Sequence, residues 1–496
     1  MLASREAAVA REETMKTARV LDRMIWIGTI MAVVVAPWLF GSVEFYAIDL
    51  LAIWVVLLWG LWAIKALAEQ RVTLFFTPIH AVLLVVLVWS VIQLVPFPFD
   101  VHHGSFQWNR ISLDPPATRR AILKLSMLIG YFFLLTQLMH TPGRLRQMLN
   151  VLIILGFAVA IVGILNKLTF NGRILWFRPS PYAANAFGPF VNRNHFAGFM
   201  ELLIPLPMAL IVGRGVRRDQ WVVYGFMAVV MGAALVLSAS RGGIVSLCVQ
   251  LLVLPILAGR EWRRWRRLKA WSREGVGALT SPSRTPASPS SLTRPSPDSR
   301  HFAPVLAASL VFAGGILVSV MWIGAEPVVS RLSLPRSSAH PRPIEQQLRP
   351  ATWRNTLKMI RAHPLVGVGL GAYPRIYPYY DDSTGYFSVV AAHKDKLQVL
   401  ADLGLVGGAL GLLFLISLFR AVRRTLSLPI PLERSVALGC AVGSIGLAVH
   451  SFVDFNLQIT ANALLFLVIV ALMCTTDRRV RWMGRHRPFG EEVKPA

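Results

Sequence analysis

Four short polar stretches in this 496-residue chain carry residue types that can do chemistry, each set in an otherwise apolar neighbourhood. The first is Gly188 to Gly198, GPFVNRNHFAG, where Asn192, Arg193, Asn194 and His195 follow one another between aromatic residues. One reading makes Asn194 the cap of the next helix, with Arg193 snorkelling to an interface. Four consecutive polar side chains exceed the needs of a cap, so a substrate contact stands beside that reading. Glu201, about one and a half turns further on, is an ionisable group buried near the mouth of an apolar segment, a functional candidate by default.

The second stretch, Ser238-Ala239-Ser240-Arg241-Gly242-Gly243, joins two apolar segments with almost no loop. Glycine permits a tight turn there and Ser240 suits a helix cap, but neither accounts for Arg241. It is the only charge between Gln220 and Arg260, and a planar, permanently charged guanidinium suits phosphate.

The third lies in a long polar segment. Arg349 precedes Trp353 by four residues, and HPLVGVGLGAY follows from His363 to Tyr373. The three glycines Gly367, Gly369 and Gly371 form no dinucleotide fingerprint, because no strand-to-helix crossover surrounds them; they suit tight backbone turns. His393 comes next, then Asp395, Gln398, Asp402 and Gly404-Leu405-Val406-Gly407. A histidine where a charged loop meets a bundle mouth is an acid–base candidate, since its pKa lies near working pH. The fourth stretch runs from His450 to Asn456. His450 and Asp454 share a face if that stretch is helical, and the pair could serve catalysis or satisfy two polar groups inside a bundle.

The elements that must hold these residues are membrane spans. The chain is 55% hydrophobic and 15% charged, with a mean hydropathy of +0.55; a soluble protein carries about 25% charged residues. A span needs about 20 mostly apolar residues. Such segments fall at about 24–41, 46–66, 76–96, 119–139, 147–167, 196–213, 220–238, 242–259, 303–324, 403–420, 434–452 and 458–475. About twelve spans put both termini on one side. The basic groups Lys65 to Arg71, Arg144 with Arg146, Arg214 to Arg218, the cluster from Arg260 to Arg273, Arg420 to Arg424 and Arg478 to Arg487 then share a single face, which is cytoplasmic. This topology explains the net charge of +26 without nucleic acid. Residues 260–302 read as a basic, then Ser/Pro-rich, cytoplasmic linker, 1–23 and 476–496 as cytoplasmic segments, and 325–402 as a large outer loop. No removable signal peptide is evident, and the three cysteines fit neither a disulfide framework nor a metal site. All four polar stretches face the outer side.

In order, spacing and common face, VNRNHFAG, SASRGG, the stretch from Arg349 through Trp353 to HPLVGVGLG, and His393 followed after ten intervening residues by GLVG resemble the O-antigen ligase and polymerase superfamily of the bacterial envelope. The likeness covers about residues 120–475. Lys394 departs from the pattern, which has Asn, Ser or Gln after the histidine. The resemblance implies an all-α polytopic bundle of GT-C-like type with a large periplasmic loop. It implies an inverting, metal-independent glycosyltransferase in the inner membrane, with its site facing the periplasm. The implied donor is a glycan on undecaprenyl diphosphate, and the acceptor is a hydroxyl of lipid A–core or of a second lipid-linked glycan. The partners are then these two glycans and the bilayer, with no nucleic acid and no cofactor. On this reading Arg241 and Arg349 stabilise the leaving diphosphate and His393 orients or deprotonates the attacking hydroxyl. Asn192, Arg193, Asn194, His195, Ser240, Trp353, His450 and Asp454 bind substrate or support the site. A polymerase, a protein O-oligosaccharyltransferase and, in a different class, a transporter of lipid-linked glycans are the alternatives. Against transport, the polar residues gather at one mouth and not at mid-membrane.

Overall fold

The computed structural model describes residues 2–70, 72, 74–97, 109–180, 183–259, 302–324, 344–382, 389–426 and 430–486. The expected linker over 260–301, residues 325–343 of the outer loop and the last ten residues lie outside them.

Among the described residues the regular structure is helical apart from a minimal hairpin, β1 (Arg173–Ile174) with β2 (Arg178–Pro179), and an isolated bridge between Phe187 and Phe190. The helices are α1 (Leu2–Val35), α2 (Phe45–Glu69), α3 (Pro78–Ile92), α4 (Pro115–Leu138), α5 (Pro142–Leu168), α6 (Arg193–Leu203), α7 (Pro205–Val212), α8 (Trp221–Leu237) and α9 (Arg241–Gly259). Beyond these come α10 (Phe302–Ile323), α11 (Ile344–Ala362), α12 (Tyr373–Ile376), α13 (Asp395–Leu426), α14 (Pro431–His450) and α15 (Thr460–His486). Among the described residues ten helices are long and apolar enough to cross a membrane, and Pro78–Ile92 and Thr460–Thr476 are shorter apolar helices. Together they occupy the twelve apolar segments read from the sequence, so the protein is a multi-pass membrane protein.

Local chemistry sets the starts. Thr77, Asp114 and Thr141 each cap a helix whose first residue is proline, accepting from the backbone N–H of His80, Ala117 and Arg144. The caps satisfy orphan donors and proline at the first position has no donor to lose. One segment splits at Pro205 into α6 and α7, since proline cannot donate within a helix. The polar N-terminal segment, expected to be separate, continues as the first turns of α1.

The buried axis of the bundle is α15, whose residues from Ala461 to Thr476 are buried on every side. A helix that is apolar all round belongs inside a larger assembly. By contrast α2 and α10 expose Val56, Leu57, Val311 and Met321, as lipid-facing helices do. At one end Asp22 binds Lys65 at 2.6 Å and also pairs with Arg144, uniting two of the basic groups that the sequence assigns to one face.

The tenth span differs from expectation. Its helix begins at Asp395, eight residues early, and breaks at Gly404, where φ is 65° and ψ is −160°. The break frees the carbonyls of Ala401 and Asp402, which accept from Val368 N (2.9 Å) and Gly369 N (3.0 Å). Returning bonds run from Leu405 N to the Pro364 carbonyl and from Val406 N to that of Leu365. Gly367 (φ 71°) lies directly against the backbone of Asp402 and Gly404, so a side chain at either glycine would enter the other strand of this contact. Gln93, just past α3, donates to the Val366 and Asp402 carbonyls and accepts from Leu370 N. The glycine-rich stretch is thus a backbone clamp between the outer segment and the bundle. Above it Met359, Val368, Tyr373, Tyr377, Ala392 and Ala401 form a small separate core.

Candidate active site

The polar stretches converge at the end of the bundle opposite Asp22. Asn192 caps α6, its side chain accepting from Asn194 N at 2.8 Å. The cap is therefore Asn192, not Asn194 as the sequence suggested, which frees the Asn194 side chain. Asn194 uses it to donate to Asp454 Oδ2 at 2.6 Å, joining the first stretch to the fourth. Arg193 reaches Asn185 Oδ1 at 3.4 Å. His195 is buried, and its carbonyl accepts from Asn462 at 3.0 Å.

Helix α14 ends at His450, and Asp454 lies beyond it in a turn. The two side chains consequently take different partners, contrary to a shared helical face. His450 Nδ1 lies 2.7 Å from Glu201 Oε1, with both side chains almost wholly excluded from solvent. Gln250 donates to the Glu201 carbonyl at 2.7 Å, so α6, α9 and α14 meet at this pair. Asp454 takes Asn194, the backbone N–H of Phe455 at 2.9 Å and Arg349, whose guanidinium is 3.8 Å away. Arg349 also donates to the Val453 carbonyl at 2.8 Å, docking α11 on the turn after α14. Burial pushes the Asp454 carboxyl up, but His195, His450 and Arg349 together outweigh it and hold it below the usual carboxylate value.

Phe455 is the centre that the sequence reading missed. The rings of His195 and His393 each lie 5.0 Å from its ring, edge to face, at 75° and 71°. An aromatic side chain in an aromatic-rich membrane protein carries no sequence signal of such a role. His393 adopts φ 52°, a backbone conformation that a non-glycine residue holds only when its surroundings enforce it. Three contacts do so. Trp353 Nε1 donates to the Ala392 carbonyl at 3.1 Å, Ala392 N donates to Gln398 Oε1 at 2.8 Å, and Lys394 Nζ lies 3.5 Å over the Trp353 ring. Lys394 thus finds its partner in the indole. Asp395, at the start of α13, accepts from Ser451 at 2.8 Å, tying this loop to the 450–456 turn.

The SASRGG turn approaches from the fourth side. Ala239 closes α8 at φ 53°, and Ser240 Oγ accepts from Gly243 N at 3.2 Å to start α9. Arg241 is exposed at that start. The next residue, Gly242, packs so tightly on the His450 ring and Val453 that a Cβ there would lie 2.5 Å from the ring. Segments around 194, 241, 349, 393 and 454 therefore surround one rim: exposed Arg241, partly exposed Arg349 and half-buried His393 above a buried layer of Glu201, His450 and Asp454. Guanidinium groups there can hold a multiply charged anion, and an imidazole beside them can accept a hydroxyl proton.

The O-antigen ligase family model matches residues 226–412. No curated protein matches the chain. The matched span contains Arg241, Arg349, Trp353 and His393, whereas Asn192 to His195 and His450 to Asn456 lie outside it. The fold brings the two sets together.

Proposed function

From the premise that this chain carries an O-antigen ligase domain, and so is a membrane glycosyltransferase of the O-antigen ligase and polymerase type whose relatives transfer lipid-linked glycans, we propose a specific transfer. A glycan moves from undecaprenyl diphosphate to a sugar hydroxyl of lipid A–core at the periplasmic face of the inner membrane. The observation that supports this reading best is the meeting of five separate segments around Phe455 and Asp454, with arginines at the rim and His393 beside them.

In the proposed mechanism the acceptor hydroxyl oxygen attacks the anomeric carbon in line, and the bond from that carbon to the diphosphate oxygen breaks. The configuration inverts and undecaprenyl diphosphate leaves with the electron pair. His393 takes the hydroxyl proton. Arg241 and Arg349 stabilise the charge that grows on the diphosphate, each contact contributing on the order of 3–4 kcal/mol in a partly dehydrated site. Asp454 and Asn194 orient Arg349, while Trp353 and Gln398 hold the His393 loop. The buried Glu201–His450 pair supports the turn that presents Arg241.

The test is a transfer assay in proteoliposomes with a defined lipid-linked donor and two competing acceptors, lipid A–core and a second donor molecule. Glycan on lipid A–core is the expected product; lengthened lipid-linked chains alone would instead mark a polymerase. Arg241→Ala, Arg349→Ala and His393→Ala should each lower transfer by about 10²-fold or more in protein that still accumulates, and Arg241→Lys should be partly defective. Near-normal transfer by all three alanine variants contradicts the site.

A further inference from the structure

Lys124 is a cation inside α4, nine residues beyond its start at Pro115, or about 13 Å along the helix. Its Nζ donates to the Gln458 carbonyl at 2.5 Å. Among the described residues that neutral oxygen is its one hydrogen-bond acceptor, and no carboxylate pairs with it. The protein treats comparable cations differently: Lys65 and Arg144 share Asp22, and Arg178 pairs with Glu44 at 2.5 Å. A lysine set within an apolar span is costly to keep charged, so an ammonium held there without a counter-charge implies an anion supplied from elsewhere.

Its surroundings indicate where that anion travels. Arg120, one turn nearer the helix start, is exposed, with its guanidinium 5.2 Å over the Phe45 ring of α2. Arg119 beside it is exposed as well, while the nearby carboxylate of Asp114 is engaged as the helix cap. This end of α4 is the site-bearing end. Gly371 packs on Ala117 and Ala121, and Leu113 N donates to the Val368 carbonyl at 2.9 Å. The ridge from Arg120 through Lys124 then continues inward to buried Met127 and Tyr131. Lys124 therefore holds the turn at Gln458 three residues from Phe455, whose ring meets His195 and His393.

We propose that Arg120 and Lys124 form a lateral lane through which the lipid-borne diphosphate of the donor passes from the bilayer between α2 and α4 to the rim. This rests on the transferase reading above and adds the route of its donor. The shared chemistry is a phosphate on a lipid, which an anionic phospholipid could also supply.

The protein is placed in nanodiscs of phosphatidylcholine, with or without phosphatidylglycerol, and glycan transfer is measured with undecaprenyl diphosphate or undecaprenol as competitor. Arg120→Gln and Lys124→Gln should each raise the donor KM and the undecaprenyl diphosphate Ki by about fivefold to tenfold. The kcat of Arg120→Gln should stay within about twofold, inhibition by undecaprenol should not change in either variant, and Lys124→Arg should keep the wild-type KM. A lower kcat at unchanged KM makes Lys124 a mere prop for the turn and overturns the lane. A KM shift confined to discs with phosphatidylglycerol assigns the phosphate to the bilayer and overturns the donor route. Wild-type transfer with unmoved KM in both variants counts against the lane alone, whereas absence of wild-type transfer counts against the reading of the site.

Discussion

Asp454 shows how single residues govern this rim. Its carboxylate is buried, yet the positive groups around it keep its pKa below the ordinary value of 3.8. A carboxyl lowered on folding contributes stability that is fully present above its unfolded pKa and is lost as pH falls through the folded one. Asp454→Asn should therefore unfold more readily than wild type at pH 7, by about 1–3 kcal/mol, and the difference should shrink as pH drops below about 4. Thermal melts in detergent between pH 3 and 7 check this; a difference independent of pH contradicts it. The sequence showed that Asn194, Arg349, His393 and Asp454 were unusual for their setting, because polar groups at a span mouth stand out. It did not show the pairing. His450 and Asp454 looked like partners four residues apart, but the helix stops at His450, and a helical periodicity argument has no force past a helix end. Phe455 was invisible for a different reason: its role comes from two histidines distant in sequence.

At the scale of elements, Gly367 and Gly404 act as one device. Each half of the clamp needs the other half's backbone at a distance that no Cβ permits, and Gly404 adopts a conformation that suits glycine. Gly404→Ala should cost at least ~2 kcal/mol and loosen the His393 loop, reading out as a lower melting temperature together with a lower transfer kcat. An alanine variant with wild-type stability and rate would show that the backbone contact is dispensable. The sequence indicated glycine-enabled turns, but it could not reveal that two such stretches bind each other, since bonds between Val368 and Ala401 or Gly369 and Asp402 depend on a helix break. The early start of α13 has the same origin: Asp395, Gln398 and Asp402 are polar, so hydropathy places the span start too late, although the helix is continuous in backbone as far as Gly404.

For the whole molecule, hydropathy was sufficient to find the spans. All twelve apolar segments are helical, and Asp22 gathers Lys65 and Arg144 at the end opposite the rim. The spans follow from solvent physics, since they must be apolar and satisfy their own backbone, and so were readable from the sequence alone; the Asp22 pairing was not, because an ion pair between distant segments leaves no hydropathy signal. The account's central claim is that the rim formed by Arg241, Arg349 and His393 faces the periplasm, on the opposite side of the membrane from Arg264. The direct measurement is labelling by a membrane-impermeant thiol reagent in intact cells whose outer membrane has been permeabilised, with Arg241→Cys, His393→Cys and Arg264→Cys each placed in a background lacking the native cysteines. The account predicts labelling at 241 and 393 from outside, and at 264 only after the inner membrane is opened. Labelling of 241 or 393 only under the conditions that expose 264 would contradict it.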